Sequence, residues 1–244
     1  MRNGGLTLVV ATALLGACNG DAPASERGEA AVSVSTEPST GPSASAIAAP
    51  QLRILALGDS LFAGYGLQAG EGYPERLEAA LKARGINARV SNAGVSGDTS
   101  AAGLQRLSFV LDNEDEVPDV ALVELGANDM LRGIPAEQTR ANLSAIIEQL
   151  QERGIPVVLM GMRAPPNLGS GYVGQFDAIY RDLAEQHGVG LVPFLIEEVW
   201  GRPELIQPDR LHPTAPGIDA LVAATVDDVA AALPEKEDEA APAD

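Results

Sequence analysis

The sequence predicts an α/β protein, a three-layer α/β/α sandwich around a mainly parallel five-stranded sheet. Three observations carry this. Short aliphatic runs alternate with helical patterns in the order β-α-β-α-β-α-β-α-β-α, the order of a doubly wound sheet. The runs mostly lack polar alternation, as expected of strands buried on both faces. Glycine follows three of the helical segments, at Gly85, Gly154 and Gly188, where a left-handed C-cap favours it.

Taken in order, the first strand is expected over Arg53–Leu57, and Gly58, Asp59 and Ser60 follow it with turn chemistry. Pro74–Arg84 reads as the first helix. Ala88–Asn92 is the second strand and Ser100–Leu111 the helix after it. Val120–Leu125 is the third strand. The helix that follows, Glu137–Arg153, carries Leu143, Ile146, Ile147 and Leu150 on one apolar stripe that should face the core. Val157–Gly161, Gly174–His187, Gly190–Pro193 and Pro216–Leu233 complete the alternation. In such sheets ligands bind beyond the carboxyl ends of the strands, near the point where the winding reverses, so a functional site is expected there.

The 244-residue chain has enough apolar residues, 45%, for one sizeable core. Its formal net charge is −18 and it has only two lysines, Lys82 and Lys236, so nucleic acid is an unsuitable partner. The start, MRNGGLTLVVATALLGAC, has a basic residue and a short apolar run from Leu6 to Leu15, the pattern of a secretory signal and too short to span a bilayer comfortably. Cys18 is the single cysteine, which excludes an intrachain disulfide. Leu15-Gly16-Ala17-Cys18 resembles a bacterial lipobox, which implies that residues 1–17 are removed and that Cys18 is lipidated. The alternative is a simple signal peptide with an incidental cysteine. Residues 18–50, rich in Ala, Ser, Pro, Gly, Thr and Glu without aromatics, read as a disordered tether. The expected domain is 51–233, and 234–244 is an acidic tail.

Four polar clusters follow predicted strands: Ser60, Asn92–Ser100, Glu124–Met130 and, after a longer excursion from the fifth strand, Pro208–Pro213. Each has an ordinary reading as a turn, a helix cap or a loop. Together at one sheet edge they contain what acyl transfer needs. A serine hydroxyl is a weak nucleophile and requires a base. Imidazole suits that task, and a carboxylate orients it. Ser60, His212 and Asp209 can fill these roles. The backbone N–H groups of Ser60 and Gly97 and the Asn128 amide can stabilise the developing oxyanion, and losing one such donor typically costs about 3 kcal/mol of barrier. His187 is the other histidine. It stands at a helix end, where the dipole gives it a structural reading. His212 precedes Pro213, which favours a loop.

"GDSL" at 58–61, "SGDT" at 96–99, "GAND" at 126–129 and "DRLH" at 209–212 resemble, in order, the sequence blocks of the SGNH hydrolases, also called the GDSL family. The resemblance covers about Arg53 to Leu233 and is closest to the bacterial thioesterase, arylesterase and lysophospholipase branch. It implies a flavodoxin-like sandwich and a serine esterase acting on acyl esters or thioesters through an acyl-enzyme. It further implies Ser60, Asp209 and His212 as catalytic residues, with Ser60, Gly97 and Asn128 as the oxyanion hole. Ala127 stands where that branch often has a second glycine. Carbohydrate O-deacetylation is the alternative activity, and a non-catalytic surface binder the alternative class. The absence of G-x-S-x-G argues against an α/β-hydrolase elbow. Two histidines without ligand spacing predict no metal, and Gly64, Gly66, Gly70 and Gly72 lack a phosphate-loop lysine, so no cofactor is expected. The expected partner is a small ester or lipid substrate. The expected state is a monomer, exported and held by lipidated Cys18 at a membrane facing the periplasm or cell exterior.

Overall fold

The computed structural model describes residues 51–234. The predicted leader, Cys18 and the tether lie outside the described residues, as does the acidic tail beyond Pro234. The elements are β1 (Leu52–Gly58), α1 (Ser60–Ala63), α2 (Tyr73–Ala83), β2 (Ala88–Gly94), α3 (Ser100–Asp112), β3 (Val120–Glu124), α4 (Ala127–Leu131), α5 (Ala136–Glu152), β4 (Val157–Met160), α6 (Ser170–His187), β5 (Gly190–Val192) and α7 (Ala215–Ala231). The sheet runs β2-β1-β3-β4-β5, and every pairing is parallel.

This order follows from the alternation. The chain steps outward from β1 to β2, then returns past β1 to β3 and continues to β5. Right-handed crossovers therefore put α2 on one face and α3, α5 and α6 on the other. The packing agrees: α2 meets α7, while α5 meets both α3 and α6. The direction of winding reverses between β1 and β3, where Gly58 lies opposite Glu124 in the register. That is the crevice in which a doubly wound sheet binds ligands.

All five predicted strands and all five predicted helices are present. The expected stripe on α5 is fully buried, as Leu143, Ile146, Ile147 and Leu150 all face the core. Burial on both faces holds for β1, β3 and β4, but β2 and β5 are largely half-exposed. They are the edges, and one side of each has no neighbouring strand or helix to cover it. Two one-turn helices, α1 and α4, were not anticipated. They occupy segments read as turn and loop, and both hold candidate residues.

Gly94, the last residue of β2, illustrates how tightly α1 is seated. A Cβ there would collide with the backbone of Phe62 and Ala63. Asn92 reinforces the contact, its Nδ2 donating to Phe62 O at 2.8 Å. Gly94→Ala is therefore expected to push α1 off the sheet and destabilise the fold by about 1–3 kcal/mol. Urea unfolding would read this as a lower midpoint with an unchanged slope. An unchanged midpoint would show that α1 is not locked by this contact.

Candidate active site

The sequence placed Ser60 at the end of the first strand. The structure places it one step further, as the first residue of α1. β1 ends at Gly58, and Asp59 caps the new helix, its Oδ1 accepting Leu61 N–H at 3.1 Å. A buried Asp59 with an N-cap geometry turns the chain sharply, so Ser60 projects beyond the sheet edge. The expected turn at Ser60 is thus the first turn of a short helix, which presents its hydroxyl at the sheet edge.

His212 meets that hydroxyl. Its Nε2 lies 2.8 Å from Ser60 Oγ, and its Nδ1 lies 2.6 Å from Asp209 Oδ2. The loop is shaped by Asp209 itself, whose Oδ1 accepts the N–H groups of Leu211 at 2.9 Å and His212 at 3.1 Å. The hydrogen bond from His212, backed by these two N–H groups, holds the Asp209 carboxyl down at about 2. His187 sits elsewhere, at the end of α6, with its Nε2 2.9 Å from Ser144 Oγ.

Asn128 and Gly97 come to the same place. Asn128 lies in α4, entered through Gly126 at φ 118°. Only glycine fits there: the conformation is left-handed, and a Cβ would collide with the Tyr180 hydroxyl. Ala127, flagged as a departure, is helical and needs no glycine. Asn128 Nδ2 donates to Asp59 Oδ2 at 2.9 Å. Gly97 lies in the turn before α3, whose N-cap is Thr99, with Ala102 N–H 3.3 Å from Thr99 Oγ1. Ser60, Gly97, Asn128 and His212 all line one pocket of about 560 Å³. Met130, Met162, Ile196 and Trp200 make much of its apolar wall.

Sequence reasoning missed the residues that hold these groups. Asp129, fully buried, accepts Ser100 N–H at 2.7 Å, the Ser100 hydroxyl at 2.5 Å and the Thr139 hydroxyl at 3.2 Å. It thereby ties the start of α3, after Gly97, to the helix that carries Asn128. Gln207 clasps the His212 loop. Its N–H donates to His212 O at 2.7 Å, and its Nε2 donates to Tyr65 O and Pro213 O, both at 2.8 Å. The Tyr65 ring lies 4.4 Å from that of His212. The adjacency of Asp129 to Asn128 was the one available signal. Gln207 and Tyr65 offered none, because the bond that joins them spans 142 residues.

Glu124 ends β3 beneath this site, and its Oε2 accepts Asp59 N–H at 3.0 Å. Its Oε1 is buried without a hydrogen-bond partner. Burial first, and the neighbouring Asp59 charge second, push Glu124 well above the usual carboxylate range. Burial raises Asp59 too, but its donors Leu61 N–H, the Ser60 hydroxyl and the Asn128 amide favour its ionised form. Glu124 therefore holds the proton of the pair. Among the described residues, no group of three or more His, Cys, Asp or Glu is placed to hold a metal, and no helix is long and apolar enough to cross a membrane.

Comparison with known proteins agrees with this geometry. The GDSL-like Lipase/Acylhydrolase family matches residues 56–220. The chain is 44% identical to an arylesterase of Vibrio mimicus over 161 residues, which cover 66% of this chain and 80% of that one. It is 41% identical to thioesterase 1/protease 1/lysophospholipase L1 of Escherichia coli over 160 residues, 66% of this chain and 74% of that one. The crystal structure of AlinE4, an SGNH-hydrolase family esterase, superposes with a TM-score of 0.65 at 59% identity, covering 77% of this chain and 99% of that one.

The protonated Glu124 has a consequence for stability. A carboxyl whose folded value is raised contributes stability that is fully present below its unfolded value, about 4.3, and lost as pH rises through the folded one. Glu124→Gln is neutral at every pH and avoids that loss. Its Tm should match the wild type below about pH 4 and exceed it increasingly toward alkaline pH. Thermal unfolding across that range checks this, and a constant Tm difference would show that Glu124 does not carry a raised value.

Proposed function

Because the chain belongs to the GDSL-like lipase/acylhydrolase family and is a serine esterase, we propose that Ser60 is its nucleophile, His212 its general base and Asp209 the group that orients His212. The continuous chain Asp209 Oδ2–His212 Nδ1 and His212 Nε2–Ser60 Oγ, at 2.6 and 2.8 Å, is the observation that carries the reading. Ser60 Oγ attacks the acyl carbon as its proton passes to His212 Nε2. The carbonyl oxygen gains charge facing the N–H groups of Ser60 and Gly97 and the second N–H of the Asn128 amide, whose first is engaged by Asp59. The bond to the leaving atom breaks as His212 returns the proton to it, leaving an acyl-Ser60. Water then attacks the acyl carbon and gives a proton to His212. The Ser60 ester bond breaks and Ser60 Oγ takes that proton back. Asp209, held ionised down to about pH 2, stabilises the imidazolium in both halves.

The substrates are acyl esters and thioesters with an apolar acyl part. The pocket's apolar wall supports this, as do relatives whose names are arylesterase and thioesterase/lysophospholipase. We place the working domain at 51–233, as a monomer exported and tethered by lipidated Cys18. The support for the tether is the Leu15-Gly16-Ala17-Cys18 pattern and the low-complexity segment that follows. Mass spectrometry of the mature protein should find residues 1–17 absent and Cys18 lipidated. An unmodified Cys18 in the native host would overturn the anchor.

Ser60→Ala and His212→Ala should each lower kcat by about a thousandfold or more, and the double variant should be little worse, because groups acting as one unit are not additive. Asp209→Asn should retain more activity than His212→Ala. His187→Ala is the control and should leave kcat unchanged. Asn128→Ala should cost about a hundredfold in kcat with a much smaller change in KM, since its bond strengthens in the transition state. Steady-state kinetics on a soluble aryl ester would read all of these. A folded His212→Ala variant with normal turnover would overturn the assignment.

A further inference from the structure

The mouth of the pocket carries a feature that ester hydrolysis does not require. The chain is strongly acidic, and nine of its thirteen described lysines and arginines form ion pairs with carboxylates. The four without a carboxylate partner among the described residues are Arg89, Arg132, Arg163 and Arg210. Three of these four gather at one place. Arg163 and Arg210 line the pocket, and Arg132 donates from Nη2 to the carbonyl of Gly97 on its wall, at 2.6 Å. With acidic side chains in such excess, unpaired arginines at a single site are not what an even distribution of charge produces.

Two of them are held in ways that cost the fold something or fix the side chain. Arg210 is the sole non-glycine among the described residues with a positive φ, 63°. It stands between Asp209 and His212, where Asp209 captures the next two N–H groups and Arg210 N–H donates to Gln207 O at 2.9 Å. Glycine would make this turn without strain, whereas a side chain there costs about 1–2 kcal/mol. The residue at that position nonetheless bears a guanidinium that reaches the pocket mouth. Arg163 is stacked over the Phe194 ring, 5.1 Å from its centroid, and Phe194 meets Trp200 of the pocket wall edge to face at 5.7 Å. The stacking orders the guanidinium without occupying its N–H fork, which suits bidentate binding of a tetrahedral oxyanion.

We propose that Arg163 and Arg210, with Arg132 beside them, form a subsite for an anionic group of phosphate-like chemistry on the leaving-group part of the substrate. The inference rests on the catalytic assignment above, since it takes this pocket as the acyl site. The division of the pocket sets the orientation. Leu61, Met130 and Met162 are buried in its lining and suit methylenes, whereas the three arginines are exposed at its mouth. A charged group cannot be buried among apolar side chains without a partner, so the acyl chain goes inward and the charged portion stays at the rim.

The test uses matched monomeric esters: the butyryl ester of phenol-4-sulfonate and that of a neutral phenol of equal acidity. The wild type should prefer the anionic ester about tenfold or more in kcat/KM at low salt, mainly through KM, and the preference should shrink as salt shortens the Debye length. In R163A/R210A the ratio of the two should fall to near one. R163K/R210K should keep only part of the preference, because lysine supplies the charge without the guanidinium fork. A second pair of arms distinguishes the source of the anion. Hexanoyl lysophosphatidylglycerol is compared with hexanoylglycerol, and the hexanoyl thioester of a nucleotide-bearing thiol with that of a neutral thiol, all as monomers. Arginine-dependent preference in the first arm identifies a lipid headgroup, and in the second a soluble carrier; either supports the subsite. Hydrolysis of charged and neutral esters without discrimination, or discrimination that survives in R163A/R210A, would overturn this inference and leave the catalytic assignment standing. A folded wild type inactive on every ester would overturn the catalytic assignment, and the inference with it.

Discussion

Asp59 accepts the N–H of Leu61, the Asn128 amide and, at a longer 3.4 Å, the hydroxyl of Ser60, while its own N–H is held by Glu124. These contacts join the ends of β1 and β3 and the helices α1 and α4 through one buried carboxylate. A charge in that position would cost several kcal/mol if it were alone. It is tolerated because its oxygens are met by donors and because Glu124 beneath it keeps its proton. The rest of the site depends on this arrangement. Displacing Asp59 would unseat the turn that presents Ser60 and release the amide of Asn128.

Around that centre, the site is assembled from loops anchored to a stiff sheet. The crevice between β1 and β3 is a consequence of winding, since neighbouring crossovers there leave to opposite faces. Asp129 locks the Gly97 turn to the helix of Asn128, and Gln207 locks the His212 loop to the segment after α1. Each lock includes a hydrogen bond between residues far apart in sequence, 29 positions for Ser100 and Asp129 and 142 for Gln207 and Tyr65. Preorganisation of this kind lets donors and base face a reacting carbonyl without rearranging at the moment of reaction. The pocket that results has an apolar interior, while its arginines lie in the loops at the rim.

The five strands, the five long helices and the parallel order were all legible, because each rests on local pattern: aliphatic runs, helical periodicity and glycine at helix ends. The five candidate residues Ser60, Gly97, Asn128, Asp209 and His212 were also legible, because they sit in short distinctive blocks, the first three directly after strands and the last two in a loop farther beyond β5. The one-turn helices α1 and α4 were not. A helix of four or five residues carries no periodicity, and its stability comes from a cap and from tertiary seating. The half-exposure of β2 and β5 was equally hidden, since a strand's composition does not say whether it will lie at an edge.

By itself, then, the sequence determined the class of the fold, the place along the chain of every candidate group and the type of chemistry they suit. Those properties depend on residue type and spacing over a few positions, where sterics and hydrogen bonding are local. Only the tertiary structure decided which groups meet. It brought His212 rather than His187 to Ser60 and buried Glu124 beside Asp59, with the proton on Glu124. It also set Gln207 across 142 residues onto Tyr65 and left three arginines unpaired around one pocket. Contacts of that separation are fixed by how the sheet winds and how the helices pack, and charge and burial at a point in space are sums over everything folded around it.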